Sequence, residues 1–210
     1  DARLLLIASP KNPMLDSEVR AIDEYLVKGG KGLFLLDPSP RPEVAGLLTK
    51  WGVKVVPGQV VDPPASVPNL PGGVLVQRER YLPSPITTYL DLTLFPGPAG
   101  LTLEAIPESD RDHVAVQPLA GSTAQAFSVG DPNRTSFQDG DIRGPFALAL
   151  TVQADQPIGQ RPSRGGQAVA AFPTRIAVFG DSDFASNRFF YSVGSNGDLL
   201  VNTVNWMTAQ

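Results

Sequence analysis

The chain has 210 residues, 42% hydrophobic and 18% charged, with a formal net charge of −4. Such a composition can bury a core, and it argues against a disordered chain and against the basic face that a nucleic acid needs. There is no cysteine and a single histidine, His113, which excludes thiol nucleophiles, disulfides, iron–sulfur clusters and multi-histidine metal sites.

The first sixty residues alternate between two hydrophobic periods. "RLLLIAS" (3–9) is an unbroken apolar run, as in a strand buried on both faces. A helix is predicted through "SEVRAIDEYLVKGG", with Asp16 or Ser17 as its cap, an apolar stripe of Val19, Ile22, Tyr25 and Leu26, and Gly29 and Gly30 at its end. "GLFLLD" (32–37) reads as a second buried strand, and "RPEVAGLLTKWGV" as a second helix with Val44, Leu47, Leu48 and Trp51 on one face. "VKVVPG" and "QVVD" read as short strands. This order implies parallel pairing with right-handed crossovers. The expected class is α/β, a mainly parallel sheet flanked by helices.

Residues 63–144 break the pattern and read as a β-rich insertion between core segments 1–62 and 145–210 of one domain. "GVLVQRERY" suggests a strand and "SPITTYL" a short helix capped by Ser84. "LTLFPGPAGLTLEAI" suggests two strands joined by a Pro/Gly turn, and "HVAVQPLAGSTAQAF" and "GPFALALTVQA" suggest two more. "DQPIGQRPSRGGQ" (155–167) lacks periodicity and reads as a mobile surface loop. The α/β pattern resumes with "RIAVFGD" (175–181) and a last helix capped by Ser195, Asn196 or Asp198. No run of 18 apolar residues is present, so no membrane-spanning helix is expected. A start at Asp1 and a stop near a helix end are expected of a domain cut from a longer protein.

Chemistry concentrates in "FGDSDFASN" (179–187), where Asp181, Ser182, Asp183 and Asn187 follow an apolar strand. The carboxyl end of a buried strand is where open α/β sheets bind ligands. Asp181 and Asp183 could hold a divalent cation through oxygen ligands or act as an acid/base pair. A turn and a helix cap account for the same residue types. Ser122 and Thr123, in "PLAGSTAQAF", and Arg143 could line a cleft. "IASPKNPML" occupies the place of a phosphate loop but has no glycine, which excludes the G-x-G-x-x-G and P-loop patterns. His113 lies among acids with no G-x-S-x-G elbow to serve. Tyr81, Tyr89, Phe189, Phe190 and Tyr191 are available for stacking on a sugar, and "FFY" (189–191) fits helix packing equally well.

Several stretches, taken in order, resemble the GldG-type auxiliary component of gliding-motility-associated ABC transport systems. They are "LLLIASPKNPMLDSEVRAIDEYLVKGGKGLFLLDP", "LLTKWGVKVVPGQVVD", "YLPSPITTYL", "PLAGSTAQAF", "GPFALAL" and "VFGDSDFASNRFF…GSNGDLLVNTVNW". Ser84 stands where histidine is common in the third. The resemblance implies a fold similar to flavodoxin-like and class I glutamine amidotransferase-like domains. The amidotransferase Cys-His pair cannot carry over to a chain without cysteine. It also implies an extracytoplasmic domain, in periplasm or at the cell surface, anchored in the cytoplasmic membrane through segments outside this chain.

The leading expectation is therefore a non-catalytic domain that binds a partner protein, such as the transporter permease or an associated membrane subunit, a glycan or a transported substrate. Its expected ligand contacts are Asp181, Ser182, Asp183, Asn187, Ser122 and Thr123, with no cofactor and no nucleic acid. The alternatives are a metal-dependent hydrolase using Asp181 and Asp183, and a carbohydrate-binding module.

Overall fold

The computed structural model describes residues 2–156, 158, 173–191 and 193–209. It opens with strand β1 (Leu5–Ala8), helix α1 (Asp16–Val27), β2 (Lys31–Leu35), α2 (Pro42–Lys50) and β3 (Val53–Val61). Seven short strands follow: β4 (Ser66–Val67), β5 (Leu70–Gln77), β6 (Leu92–Phe95), β7 (Ala99–Leu103), β8 (Val114–Gly121), β9 (Phe127–Val129) and β10 (Ile142–Arg143). The chain then forms β11 (Ala147–Ala154), β12 (Thr174–Phe179), α3 (Asn187–Phe190) and α4 (Asn196–Thr208).

Nine strands form one sheet in the order β1-β2-β12-β11-β7-β3-β9-β10, with β8 also paired to β11. Only the β1–β2 and β2–β12 pairings are parallel; the other pairings of this sheet are antiparallel. The mainly parallel, helix-flanked α/β sheet expected from the sequence is therefore not what forms, and neither is a flavodoxin-like or glutamine amidotransferase-like fold. This is a mixed sheet, mostly antiparallel, with few helices. The physical reason is that an unbroken apolar run reports burial on two faces and says nothing of strand direction. β11 (ALALTVQA) is buried along almost its whole length, yet pairs antiparallel with both β12 and β8.

β3 shows the same point. It follows α2 but does not return beside β2; it lies beyond β12, β11 and β7 and runs opposite to β2. The two short strands expected in 53–62 are one strand, with a bulge between Val55 and Gln59. The strands in "LTLFPGPAGLTL" form as expected, but the turn between them switches sheets. β6 joins β5 and β4 in a separate three-stranded antiparallel sheet, while β7 enters the large one.

One face of the large sheet is covered by α1 and α2. Leu26, Val44, Leu48 and Trp51 pack on Phe34, Leu36, Ile176 and Val178, all of them buried. The other face is covered by α4 and the small sheet, through Leu199, Met207, Val74, Val76 and Phe95 against Leu33, Leu35, Ala177 and Phe179. A fully buried large apolar side chain contributes about 2 kcal/mol, so these two layers hold the sheet ends in place. α1 starts at Asp16, with Leu15 at the cap position, and the Glu18 carboxylate reaches back to accept the Leu15 N–H at 2.8 Å. Its end follows expectation: Gly29 takes φ +91°, and the Gly29 and Gly30 N–H groups close onto Leu26 and Tyr25 carbonyls. Of the expected loop at 155–167, only residues 155, 156 and 158 lie within the described part.

Candidate functional site

β1, β2 and β12 are parallel, and β8 runs with β12 because both oppose β11. The residues that follow these four strands therefore share one edge of the sheet. Ser9, Asp37, the 181–187 turn and the Ser122–Thr123 pair all lie there, in three hydrogen-bonded clusters.

Asp37 centres the first. Its Oδ2 accepts the Ser9 hydroxyl at 2.5 Å and the Lys11 ammonium at 2.9 Å. Its Oδ1 accepts the Ser182 hydroxyl at 2.7 Å and the Ser182 backbone N–H at 3.1 Å. Burial pushes the Asp37 pKa up, but the hydrogen bonds from Ser9, Lys11 and Ser182 together outweigh it, and the net shift is downward. Ser9 sits at φ +36°, a left-handed conformation that a non-glycine residue adopts at a cost. Both serine hydroxyls donate to Asp37, and Lys11 also donates to Ser9 at 3.2 Å. Lys11 thus acts as a clamp on the carboxylate.

Asp181 centres the second. It is buried, at 1% exposure. Its Oδ2 accepts the Gly97 N–H at 2.7 Å and its Oδ1 the Phe184 N–H at 3.1 Å. Burial raises its pKa to about 7; the two N–H donors hold that rise back, and the charge of Asp183 adds to it. Asp183 itself is exposed, and so is Asn187 at the start of α3. The sheet edge and the turn thus place Ser182 against Asp37 and turn Asp181 inward. Among the described residues, no group of three or more His, Asp or Glu is placed to hold a metal ion.

The third cluster takes Ser122 and Thr123. Thr123 donates its N–H to Asp62 Oδ2 at 2.7 Å and its hydroxyl to Asp62 Oδ1 at 2.6 Å. Asp62 is 2% exposed and lies 3.6 Å from the Arg80 guanidinium. Ser122 accepts the Phe146 N–H at 2.8 Å. It also borders a groove of about 460 Å³ between β7 and β8, lined mainly by apolar side chains such as Leu82, Leu103 and Phe146. Arg143 is exposed on β10 and lies over the Phe137 ring.

The other candidates fall elsewhere. His113 pairs with Asp110 at 3.4 Å. Tyr81 is anchored by its hydroxyl to Thr93 and the Val76 carbonyl, and burial raises its pKa to about 12. Tyr89 and Tyr191 are strongly exposed, and Phe190 packs edge-on against Tyr191. Sequence reading missed Asp37 and Asp62. Each directly follows an apolar strand run, the same signal that drew attention to Asp181.

No curated protein matches the chain. Among solved structures it is similar to the mmIFT52 N-terminal domain, at 17% identity and a TM-score of 0.66, over 99% of this chain and 78% of that one. At that identity the likeness concerns the fold alone. Residues 1–203 match a family model described as "ABC-type uncharacterized transport system", and the chain therefore belongs to this family of auxiliary components of ABC transport systems.

Proposed function

We propose that residues 1–210 act as one unit, a non-catalytic extracytoplasmic domain of a GldG-type transport system, which recognises a partner protein of that system through the edge bearing Ser122. The partner on this reading is the permease or an associated membrane subunit. One observation carries the proposal: Asp37, Asp181 and Asp62 at this edge are already engaged internally, and the carboxylate that faces outward is that of Asp183. Asp37 is taken by Ser9, Lys11 and Ser182, Asp181 by two backbone N–H groups, and Asp62 by Thr123. A general acid or base must instead reach a substrate proton. What the edge offers outward is the groove, with Leu82 at 40% and Leu103 at 57% exposure, which suits an apolar anchor from a protein.

Affinity purification of the intact protein from membranes tests this. The permease is expected to co-purify with the parent and with Asp183→Ala, and to be lost with the Leu82→Asp, Leu103→Asp pair. Undiminished co-purification of the pair would count against the groove. Ester or amide turnover abolished by Asp183→Ala would refute a non-catalytic role.

A second reading, saccharide binding, is favoured by Tyr89. It is 90% exposed at φ +68° and stands beside a small hollow with Ser84, Thr87 and Thr88. Binding to a glycan array that Tyr89→Ala removes would support it, and an array without hits would dismiss it.

A further inference from the structure

β1 ends the large sheet, with β2 on one flank and, among the described residues, no strand on the other. Open strand margins recruit other strands, and folded proteins shorten, charge or cover them. The other margins of this molecule are treated in that way. β10 and β4 are two residues long, and β10 carries Arg143. β8 contains Pro118, and the Leu82 N–H closes onto its Leu119 carbonyl from outside. On β6, Asn196 occupies the Leu94 N–H and carbonyl. Leu4–Ala8, by contrast, reads "LLLIA", with no charge, proline or glycine.

This margin is self-complementary. The Ser9 N–H donates to the Leu35 carbonyl at 2.7 Å, so the backbone groups of Ser9, Ile7 and Leu5 face β2. By alternation those of Leu4, Leu6 and Ala8 face outward. The Leu5 and Ile7 side chains join the core on the α1 face. Leu4 joins the core on the opposite face, where Leu200 and Val204 of α4 are half-buried against the same cluster. Leu6 shares that face by strand alternation and is 53% exposed, while Val201 on α4 is 49% exposed. The two ends of the margin also differ in charge. Arg3 stands exposed at its start. At its end lie Asp37, bonded to Ser9, and Asp16 and Glu18 in the first turn of α1, with Lys11 as the cation beside Asp37.

We propose that this margin pairs with β1 of a second copy of the chain, antiparallel about a two-fold axis at Leu6. Leu6 then exchanges both backbone bonds with Leu6 of the second copy, and Leu4 does the same with Ala8 on either side of the axis. The axis sets Arg3 of each copy opposite Ser9, at the acidic end of the other. It also sets the two exposed Leu6 side chains against each other, on the face that carries α4. A two-fold contact of this kind uses the same surface on both copies, so it closes at a dimer. The contact is small, and dissociation on the order of 10 µM is expected.

Sedimentation of the chain between about 1 and about 200 µM tests the proposal. The expected result is a reversible rise toward twice the monomer mass, with Leu6→Lys weakening dimerisation about tenfold. Leu6 is exposed, so this variant keeps the fold, which an unchanged circular dichroism spectrum would verify. The chain has no cysteine, so Leu6→Cys introduces a lone thiol. In the proposed register its Cα lies about 5.5 Å from that of its copy, within disulfide reach. Oxidation is expected to yield a covalent dimer of Leu6→Cys and to leave Leu103→Cys, at a similarly exposed position in the groove, largely monomeric. A dimer that Leu6→Lys leaves intact, or a Leu6→Cys chain that cross-links no faster than Leu103→Cys, would overturn the proposal. So would a chain that stays monomeric throughout, which would leave the margin to a strand from a different protein.

Discussion

Asp37 and Ser182 are joined twice, the Ser182 hydroxyl and backbone N–H both donating to Asp37 Oδ1, at 2.7 and 3.1 Å. Asp37 closely follows β2 and Ser182 follows β12, so this double bond pins the exits of two adjacent parallel strands. Ser9, after β1, donates to the other oxygen at 2.5 Å. One carboxylate therefore ties three strand ends together.

Removing that tie should be costly. Asp37→Ala is expected to lower stability by about 2–3 kcal/mol, because several charge-assisted hydrogen bonds go at once. The Asp37 pKa is lowered in the folded chain from 3.8, so its contribution is present above the unfolded value and is lost as pH falls through the folded one. Urea unfolding between pH 5 and pH 2 should show the parent losing its margin over Asp37→Ala.

Asp181 has the opposite sign. Its folded pKa is raised from 3.8 to about 7. Its contribution is therefore fully present below the unfolded value and declines as pH rises through about 7. Thermal unfolding of the parent should become easier between pH 5 and pH 8, and Asp181→Asn should flatten that slope. An unchanged slope in the variant would assign the dependence to another group.

Gly180 separates β12 from Asp181 and leaves no room for a side chain. A Cβ there would lie 2.1 Å from the Ala99 carbonyl oxygen, while the Gly180 carbonyl accepts the Ala99 N–H at 2.7 Å. Gly180→Ala must push β12 and β7 apart, at about 3 kcal/mol. The check is a lower urea midpoint with an unchanged m-value.

Asn196 fastens α4 to the small sheet. Its Oδ1 accepts the Leu94 N–H at 2.8 Å, and its Nδ2 donates to the Leu94 and Phe184 carbonyls at 3.0 and 3.2 Å. It is fully buried. Asn196→Leu leaves buried backbone groups unmatched and should cost about 3 kcal/mol. Asn205→Leu, on the exposed face of the same helix, should change stability by less than about 0.5 kcal/mol.

The long helices α1, α2 and α4 were legible because their signal is local, whereas the short helix expected in "SPITTYL" is a run of turns. The stripe Val44, Leu47, Leu48 and Trp51 is buried as its spacing predicts, and Gly29 ends α1 through the backbone freedom that glycine alone has. Strand positions were legible for the same reason, as with the run through Phe179. Strand partners were not. Whether β3 pairs with β2 or with β7 and β9 depends on residues at 99–103 and 127–129, and a short apolar run carries no record of them. The acidic turn was visible at 181–183, but its division of labour was not. Asp181 faces inward because Gly97 and Phe184 present N–H groups to it, and Asp37 approaches from a turn 145 positions away from Ser182.

β12 lies between β2 and β11 in the middle of the sheet. During synthesis, β1 and β2 leave the ribosome first, yet the flank of β2 opposite β1 waits for residues 174–179. Throughout that interval the nascent chain displays an apolar, unpaired strand margin, a template for mispairing between chains. Closure by so distant a segment is also entropically slow. Refolding from denaturant should therefore be sluggish and concentration-sensitive, and a chaperone that shields the β2 margin should raise the yield more than one acting after residue 179 has emerged.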